Sequence, residues 1–185
     1  MVIWIQLIAA VLIISGLSFL ILTVYALYHQ QSGLSTIFAL LCLVAAIYSF
    51  GYSFELSAGS REQMLFALKM QFLGAPLISP LFVFLAYYIK HRRSPSISKM
   101  FLFVAPVVVL QFLGLTNEFH QLIYRDVWLV QYPGFFLSDL QTGLVYPLLA
   151  INVALAQFYG LMTFYHAWRE DKYQVRSQSF FLLTG

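Results

Sequence analysis

Charged residues are scarce in this chain, and their scarcity excludes most classes of soluble protein. Lys, Arg, Asp and Glu make up 9% of its 185 residues, whereas about 25% is usual in soluble domains. Apolar side chains account for 61% of the sequence, and the mean hydropathy is +0.82. The composition therefore predicts an integral membrane protein.

Cysteine is nearly absent as well. Cys42 is the single cysteine and lies inside an apolar run, so neither an internal disulfide nor a cysteine-based metal site can form. The four histidines include no pair spaced His-x-x-x-His, and we expect no metal or haem site. No P-loop, nucleophile elbow, HExxH or kinase signature occurs. We therefore expect no catalytic site and no cofactor in this chain, and the residues leave open whether the whole protein is an enzyme.

What the chain does contain is a series of apolar segments of about 20 residues, the length that a helix needs to cross a bilayer. Five complete spans are predicted, at Val2–Tyr28, Leu34–Leu56, Glu62–Ile89, Met100–Leu115 and Gly143–Trp168. Val175–Gly185 reads as the first half of a sixth span, so we expect the chain to be a fragment. The predicted fold is all-α, a polytopic transmembrane helix bundle with five complete spans and the start of a sixth.

The basic residues of the short loops predict that the N-terminus lies outside the cell. In that orientation the inner loops hold seven basic residues and the outer loops hold two. The inner set is Lys90, Arg92, Arg93, Lys99, Arg169, Lys172 and Arg176, and the outer set is Arg61 and Arg125. The net charge of +3 then reflects topology. We expect a multi-pass protein of the plasma membrane, surrounded by lipid and without a nucleic-acid partner.

Two charged residues stand out because they lie within or beside predicted spans, where ionisable groups are costly. Glu55 is near the outer end of the second span, and Lys69 is about two turns into the third, so a helical hairpin would bring them to a similar depth. One hypothesis is an ion pair that fixes the register of the two helices. The other is a ligand site or a signalling switch, with Gln71 on the same helix.

The connection between the fourth and fifth spans is strongly apolar for a loop, and it contains Pro133-Gly134 as a candidate turn. Its flanks predict two extended segments that fold over the mouth of the bundle as a hairpin lid. Four side chains would then lie above any cavity: Asn117, His120, Tyr124 and Trp128. The alternative is a hairpin at the membrane interface, anchored by Trp128 and Tyr132.

Phe54-Glu55-Leu56, Lys69-Met70-Gln71 and Thr116-Asn117-Glu118-Phe119-His120 are short elements of the sequence. Together they resemble the N-terminal seven-transmembrane sensor region of membrane histidine kinases. In that family a Phe-Glu-Leu element ends the second helix, and residues 54–56 match it. A Lys-hydrophobe-Gln element lies in the third helix and matches residues 69–71, and a Thr-Asn-x-x-His element follows the fourth and matches residues 116–120. Arg176-Ser177-Gln178 is similar to the Arg-x-Gln start of the sixth helix.

The resemblance implies that residues 1–185 are the transmembrane input domain of a two-component sensor histidine kinase. Such a domain detects a signal at the outer side of the bundle and relays it to a cytoplasmic kinase, or in some relatives to a diguanylate cyclase. ATP and magnesium would belong to the kinase domain, a response regulator would be its partner, and the protein would be a homodimer. The apolar mouth of the bundle, rather than the resemblance, indicates a small ligand that is apolar or amphipathic. Prolines 76, 80, 106 and 147 mark places where helices can pivot.

Two other classes of protein remain open on the residues alone. A small-molecule transporter or permease component would also use buried polar groups and proline-containing helices, and an inverted internal repeat would favour it; none is visible in the sequence. A purely structural domain that places an unrelated enzyme at the membrane is the third class. In that case substitutions at Glu55 or Lys69 would not affect signalling.

Overall fold

The computed structural model describes residues 2–29, 33–132 and 135–169, and this part of the chain contains five helices long and apolar enough to cross a membrane. The long helices are α1 (Val2–Tyr28), α2 (Gly33–Leu56), α3 (Arg61–His91), α4 (Ile97–Leu115) and α6 (Tyr146–Arg169). The other elements are the short helix α5 (Asn117–His120) and the strands β1 (Tyr124–Tyr132) and β2 (Phe135–Thr142). The predicted helical bundle with five complete spans is confirmed, and the predicted start of a sixth lies outside the described residues.

The start of α3 shows how the local sequence sets a helix boundary. Ser60 is the N-cap, and its hydroxyl oxygen accepts a hydrogen bond from the backbone N–H of Gln63 at 3.3 Å. The side-chain oxygen of Gln63 accepts in turn from the N–H of Gly59 at 2.8 Å. A capping box would return this bond to the N-cap residue itself, so the motif here is displaced by one residue.

Helix α3 is the centre of the bundle, and it packs against α2, α4, α6 and β1. By contrast, α1 packs mainly on α2. Small residues allow the central helices to approach closely: a Cβ atom at Gly74 would overlap the carbonyl oxygen of Val44, and one at Gly51 would lie 2.8 Å from the backbone nitrogen of Gln71. Such close backbone contact is how helices associate in lipid, where apolar burial gives little advantage.

The predicted hairpin is present and lies on the end of the bundle where α3 begins. Strands β1 and β2 pair antiparallel, with Val127 opposite Leu140 and Tyr132 opposite Phe135. The predicted turn at Pro133-Gly134 lies outside the described residues. Val127 is 2% exposed and Trp128 is 46% exposed, because successive residues of a strand point to opposite faces. One face of the hairpin therefore packs on the bundle while Trp128 is on the other.

Two clusters of buried apolar side chains fix the two ends of the α3–α6 region. The first joins the hairpin to the start of α3; its buried members are Ala58, Met64, Leu68, Ile123, Tyr124 and Val127. The second, towards the other ends of α3 and α6, consists of Leu85, Ala86, Ile89, Phe164 and Ala167. At the second cluster, Gly160 of α6 lies directly under the ring of Phe82, and that ring is 5.2 Å from the ring of Phe164.

Candidate functional site

Two ion pairs connect α3 to the segment that carries the hairpin. The ammonium of Lys69 lies 2.9 Å from a carboxylate oxygen of Glu118, at the start of α5. The guanidinium of Arg61 lies 3.3 Å from a carboxylate oxygen of Asp126 in β1. One sequence-based hypothesis paired Lys69 with Glu55, whereas the structure places its ammonium against Glu118. All four side chains are partly exposed, so each pair contributes little to stability, roughly 0–1 kcal/mol.

Glu55 lies in a different environment from Lys69. It is 8% exposed, and one of its carboxylate oxygens accepts a hydrogen bond from the side-chain amide of Gln71 at 2.5 Å. This bond joins the end of α2 to α3. A hydrogen bond between two side chains of neighbouring helices forms only at one relative position, so the contact favours one register of the two helices. The structure thus brings Glu55 and Gln71 together and places Lys69 in a separate contact.

Asn117 organises the corner between α4 and β1. It is 1% exposed, and its side-chain oxygen accepts from the N–H groups of Ile123 at 2.8 Å and Tyr124 at 3.2 Å. Its amide donates to the carbonyl oxygen of Tyr124 at 2.6 Å. This one side chain therefore satisfies three buried backbone groups. Asn117 therefore shapes the loop and has little capacity left for a ligand.

His120 supports the same corner through both nitrogens of its ring. Nδ1 accepts from the backbone N–H of Leu122 at 3.2 Å, and Nε2 is 3.1 Å from the hydroxyl oxygen of Thr116. An N–H donor requires a lone pair on Nδ1, so the proton of the neutral ring is on Nε2 and is donated to Thr116. The Thr116 hydroxyl donates to the carbonyl oxygen of Phe112 at 2.8 Å. The Thr-Asn-x-x-His element is thus a hydrogen-bonded corner.

A cavity of about 380 Å³ lies between α2, α3, α6 and the hairpin. Its walls are mainly apolar, and none of the residues that line it carries a charge. The lining residues are Tyr48, Leu68, Gln71, Phe72, Ala75, Pro76, Ile78, Ser79, Ile123, Tyr124, Leu140, Thr142, Tyr146, Leu149, Val153 and Gln157. Two of the residues predicted from the sequence, Gln71 and Tyr124, are among them. Trp128 is not among the lining residues, so only the alternative prediction of an interfacial anchor still applies to it.

The hydroxyl groups of Ser79 and Tyr124 are buried and have no hydrogen-bond partner among the described residues. Ser79 is 1% exposed and Tyr124 is 6% exposed, and both residues line the cavity. Burial raises the pKa of the Tyr124 phenol, and the nearby charge of Glu118 raises it further, while Asn117 and Arg61 act in the opposite direction. The phenol is therefore neutral and able to donate a hydrogen bond.

Sequence reasoning missed Glu118 and Ser79. Glu118 lies inside the Thr-Asn-x-x-His element, so an acidic residue was visible beside the residues that were selected. Ser79 gave no signal, because a serine within an apolar helix ordinarily bonds to its own backbone. Within the described residues no group of three or more His, Cys, Asp or Glu side chains is placed to hold a metal ion.

Comparison with known proteins gives one informative result. A family model described as the N-terminal 7TM region of histidine kinase matches residues 11–185. Neither the curated proteins nor the solved structures gave a significant match. The match covers nearly the whole chain, including α2 to α6, the hairpin and the cavity.

Proposed function

The chain belongs to the family of N-terminal 7TM regions of histidine kinases, and from this membership we propose how it works as the membrane sensor domain of a sensor kinase. The signal is detected at the hairpin end of the bundle, on the outer side of the plasma membrane. The resulting movement passes along α3 to a cytoplasmic histidine kinase and from there to a response regulator. The observation that carries the proposal is the attachment of the hairpin to α3, the helix that contacts most of the bundle.

The distribution of basic residues supports placing the hairpin end outside. The opposite end, where α3 leads into α4 and where α6 ends, carries Lys90, Arg92, Arg93, Lys99 and Arg169. The hairpin end carries Arg61 and Arg125 among the described residues, together with Lys69 two turns into α3. An excess of Lys and Arg in short loops marks the cytoplasmic side of a membrane protein. This orientation also places the N-terminus outside.

Helix α3 is suited to relay a movement because it is held at both ends by different partners. At its start, Arg61 and Lys69 pair with Asp126 and Glu118, and Met64 and Leu68 pack against β1. Beyond Pro76 and Pro80 it packs against α6. Each proline lacks the N–H that would bond to the preceding turn, so this part of α3 has fewer internal hydrogen bonds to resist bending. A signal shifts the equilibrium only if it binds one arrangement better than the other.

The ion pair between Lys69 and Glu118 gives a direct test in the full-length protein. The variants Lys69→Glu, Glu118→Lys and the double exchange are reconstituted in lipid nanodiscs, and autophosphorylation of the kinase is measured. Each single variant places like charges against each other, so we expect at least a threefold change in basal autophosphorylation in the same direction. The double exchange restores opposite charges and should return the rate towards that of the unmodified protein.

Arg125→Glu is the matched control, because it reverses one charge at the same end of the bundle, at a residue that forms neither of the two ion pairs described. It should leave the basal rate within experimental error. If both single charge reversals fold and autophosphorylate like the unmodified protein, attachment of the hairpin to α3 does not control output. The proposed relay would then be wrong. The proposal also includes a homodimeric assembly, which mass measurement in the same nanodiscs checks.

A further inference from the structure

Ser79 differs from three other hydroxyl residues in the helices of this protein. Ser18, Thr23 and Thr163 each donate to the carbonyl oxygen four residues earlier, at 2.8 Å. The hydroxyl of Ser79 makes no hydrogen bond within the described residues, although the side chain is only 1% exposed. A helical serine can readily make the bond to its own backbone. The described residues therefore leave this buried donor without an acceptor.

Tyr124, in β1, also has a buried hydroxyl without a hydrogen-bond partner among the described residues. The residue lines the same cavity. Buried hydroxyls in folded proteins nearly always have a partner, and each exception requires an explanation. A larger groove between α4 and α6, of about 500 Å³, provides a comparison, since neither unpartnered hydroxyl lies in it. The two are therefore associated with one cavity.

The walls of the cavity restrict the charge of an occupant. No lining residue is ionised at neutral pH, so a cation or an anion would be buried without a counter-charge. Gln71 lines the cavity, but its side-chain amide already donates to the carboxylate of Glu55. This donor is therefore not free to bind an anion in the cavity. Most lining side chains are apolar, and the volume of about 380 Å³ is at the small end of ligand pockets, which run from about 300 to 1,000 Å³.

We propose that this cavity binds a neutral, mainly apolar small molecule with a carbonyl-type oxygen, which accepts hydrogen bonds from the hydroxyls of Ser79 and Tyr124. The signalling consequence of binding rests on the proposed function, but binding itself does not. The same chemistry, a carbonyl oxygen on an apolar body, is found in a free ligand and in the ester region of a bilayer lipid. The experiment separates these two sources.

The test uses the full-length protein in nanodiscs and an aliphatic ketone that carries a photoreactive diazirine. After illumination, peptide mapping identifies the labelled residues, and three competitors of similar length are compared: methyl octyl ketone, undecane and decanoate. We expect labels in α3, α6 and β1, and the ketone should compete at least fivefold better than undecane because only the ketone accepts hydrogen bonds. Decanoate should compete least, because its charge cannot be compensated in the cavity.

Two variants remove the donors without changing the shape of the cavity greatly. Ser79→Ala and Tyr124→Phe should each weaken competition by the ketone about fivefold, the effect of losing one hydrogen bond of ordinary strength. Competition by undecane should stay the same. Ser18→Ala and Tyr25→Phe are the matched controls, since both residues lie on α1 and neither lines the cavity. They should change neither value.

The stability of the variants distinguishes ligand binding from a structural role. The two hydroxyls have no partner within the described part of the protein, so their removal should leave the unfolding midpoint of the empty protein unchanged or raise it. A structural hydrogen bond would instead lower the midpoint when removed. A lowered midpoint together with unchanged ketone competition would overturn the proposal. Equal competition by ketone and undecane in all proteins would overturn it too, because the cavity would then be only an apolar or water-filled space.

Nanodiscs of ester-linked and ether-linked phosphatidylcholine identify the source of the natural occupant. Ether lipids lack the carbonyl group, so stronger ketone labelling in ether lipid indicates that a lipid ester ordinarily occupies the cavity, and equal labelling indicates a free ligand. Labelling that maps outside the cavity in both lipids refutes the site. Ketone binding without any change in autophosphorylation would contradict the sensing role but would leave the proposed binding site intact. Charge-reversal effects without ketone binding would contradict the site alone.

Discussion

Replacement of Asn117 by alanine should loosen the corner that connects α4 to the hairpin, and the size of the effect can be worked out from its contacts. The side chain makes three hydrogen bonds to backbone groups of Ile123 and Tyr124. At about 1 kcal/mol net for each bond, their loss amounts to about 3 kcal/mol. Since 1.4 kcal/mol corresponds to a factor of ten, local opening of this segment should become about 100-fold more frequent.

Hydrogen–deuterium exchange of the full-length protein in nanodiscs measures this opening, with a peptide that covers residues 121–127. Exchange of its protected amides should accelerate about 100-fold in Asn117→Ala. Asn152→Ala is the control, because Asn152 is a half-buried residue of α6 that lines the groove between α4 and α6 and is remote from this corner in the chain. If exchange in Asn117→Ala stays within about fivefold of the unmodified protein, the assignment of Asn117 as a structural residue is wrong. The alternative hypothesis, that Asn117 binds a ligand, would then be favoured.

Two further predictions concern packing and pH. Gly74→Ala should lower the free energy of unfolding by about 1–3 kcal/mol, because the added Cβ atom would overlap the backbone of α2. Gly59→Ala is the control and should have almost no effect, since the nearest atom is 3.7 Å away. Equal unfolding midpoints for the two variants would contradict the packing argument. Because the pKa of Tyr124 is raised above its ordinary value of 10.0, the folded protein holds this proton more tightly than the unfolded chain. The contribution of this group to stability should therefore be constant below about pH 10 and fall as the pH rises through the raised pKa. Unfolding midpoints measured against pH should show this loss in the unmodified protein but not in Tyr124→Phe.

The helices could be predicted from the sequence because a span depends only on the apolar character of consecutive residues. The hairpin could be predicted for a similar reason: an apolar loop with a turn signal has few alternatives to pairing with itself and packing on the bundle. Both are local properties, and the structure confirms them. The short helix α5 was not predicted, since four residues are too few to show a periodic pattern.

The partner of Lys69 could not be predicted from its depth in the membrane. Depth along the helix axis follows from counting residues, but the direction in which a side chain leaves the helix depends on how the helices are rotated against each other. Lys69 points towards α5 and pairs with Glu118, while Gln71, two residues later, points towards Glu55. The unpartnered hydroxyl of Ser79 was invisible for the same kind of reason, because it depends on the position of several elements around one cavity.

The cavity and the docked hairpin share residues, since Tyr124, Leu140 and Thr142 belong to the hairpin and also line the cavity. Filling the cavity and docking the hairpin are therefore linked equilibria, and the linkage is reciprocal. Any molecule that binds only when the hairpin is docked must favour docking by the same factor by which docking favours its binding. A substitution that loosens the hairpin from a distance, such as one at Lys69 or Asn117, would consequently lower affinity for the occupant by a factor that can be measured from either side.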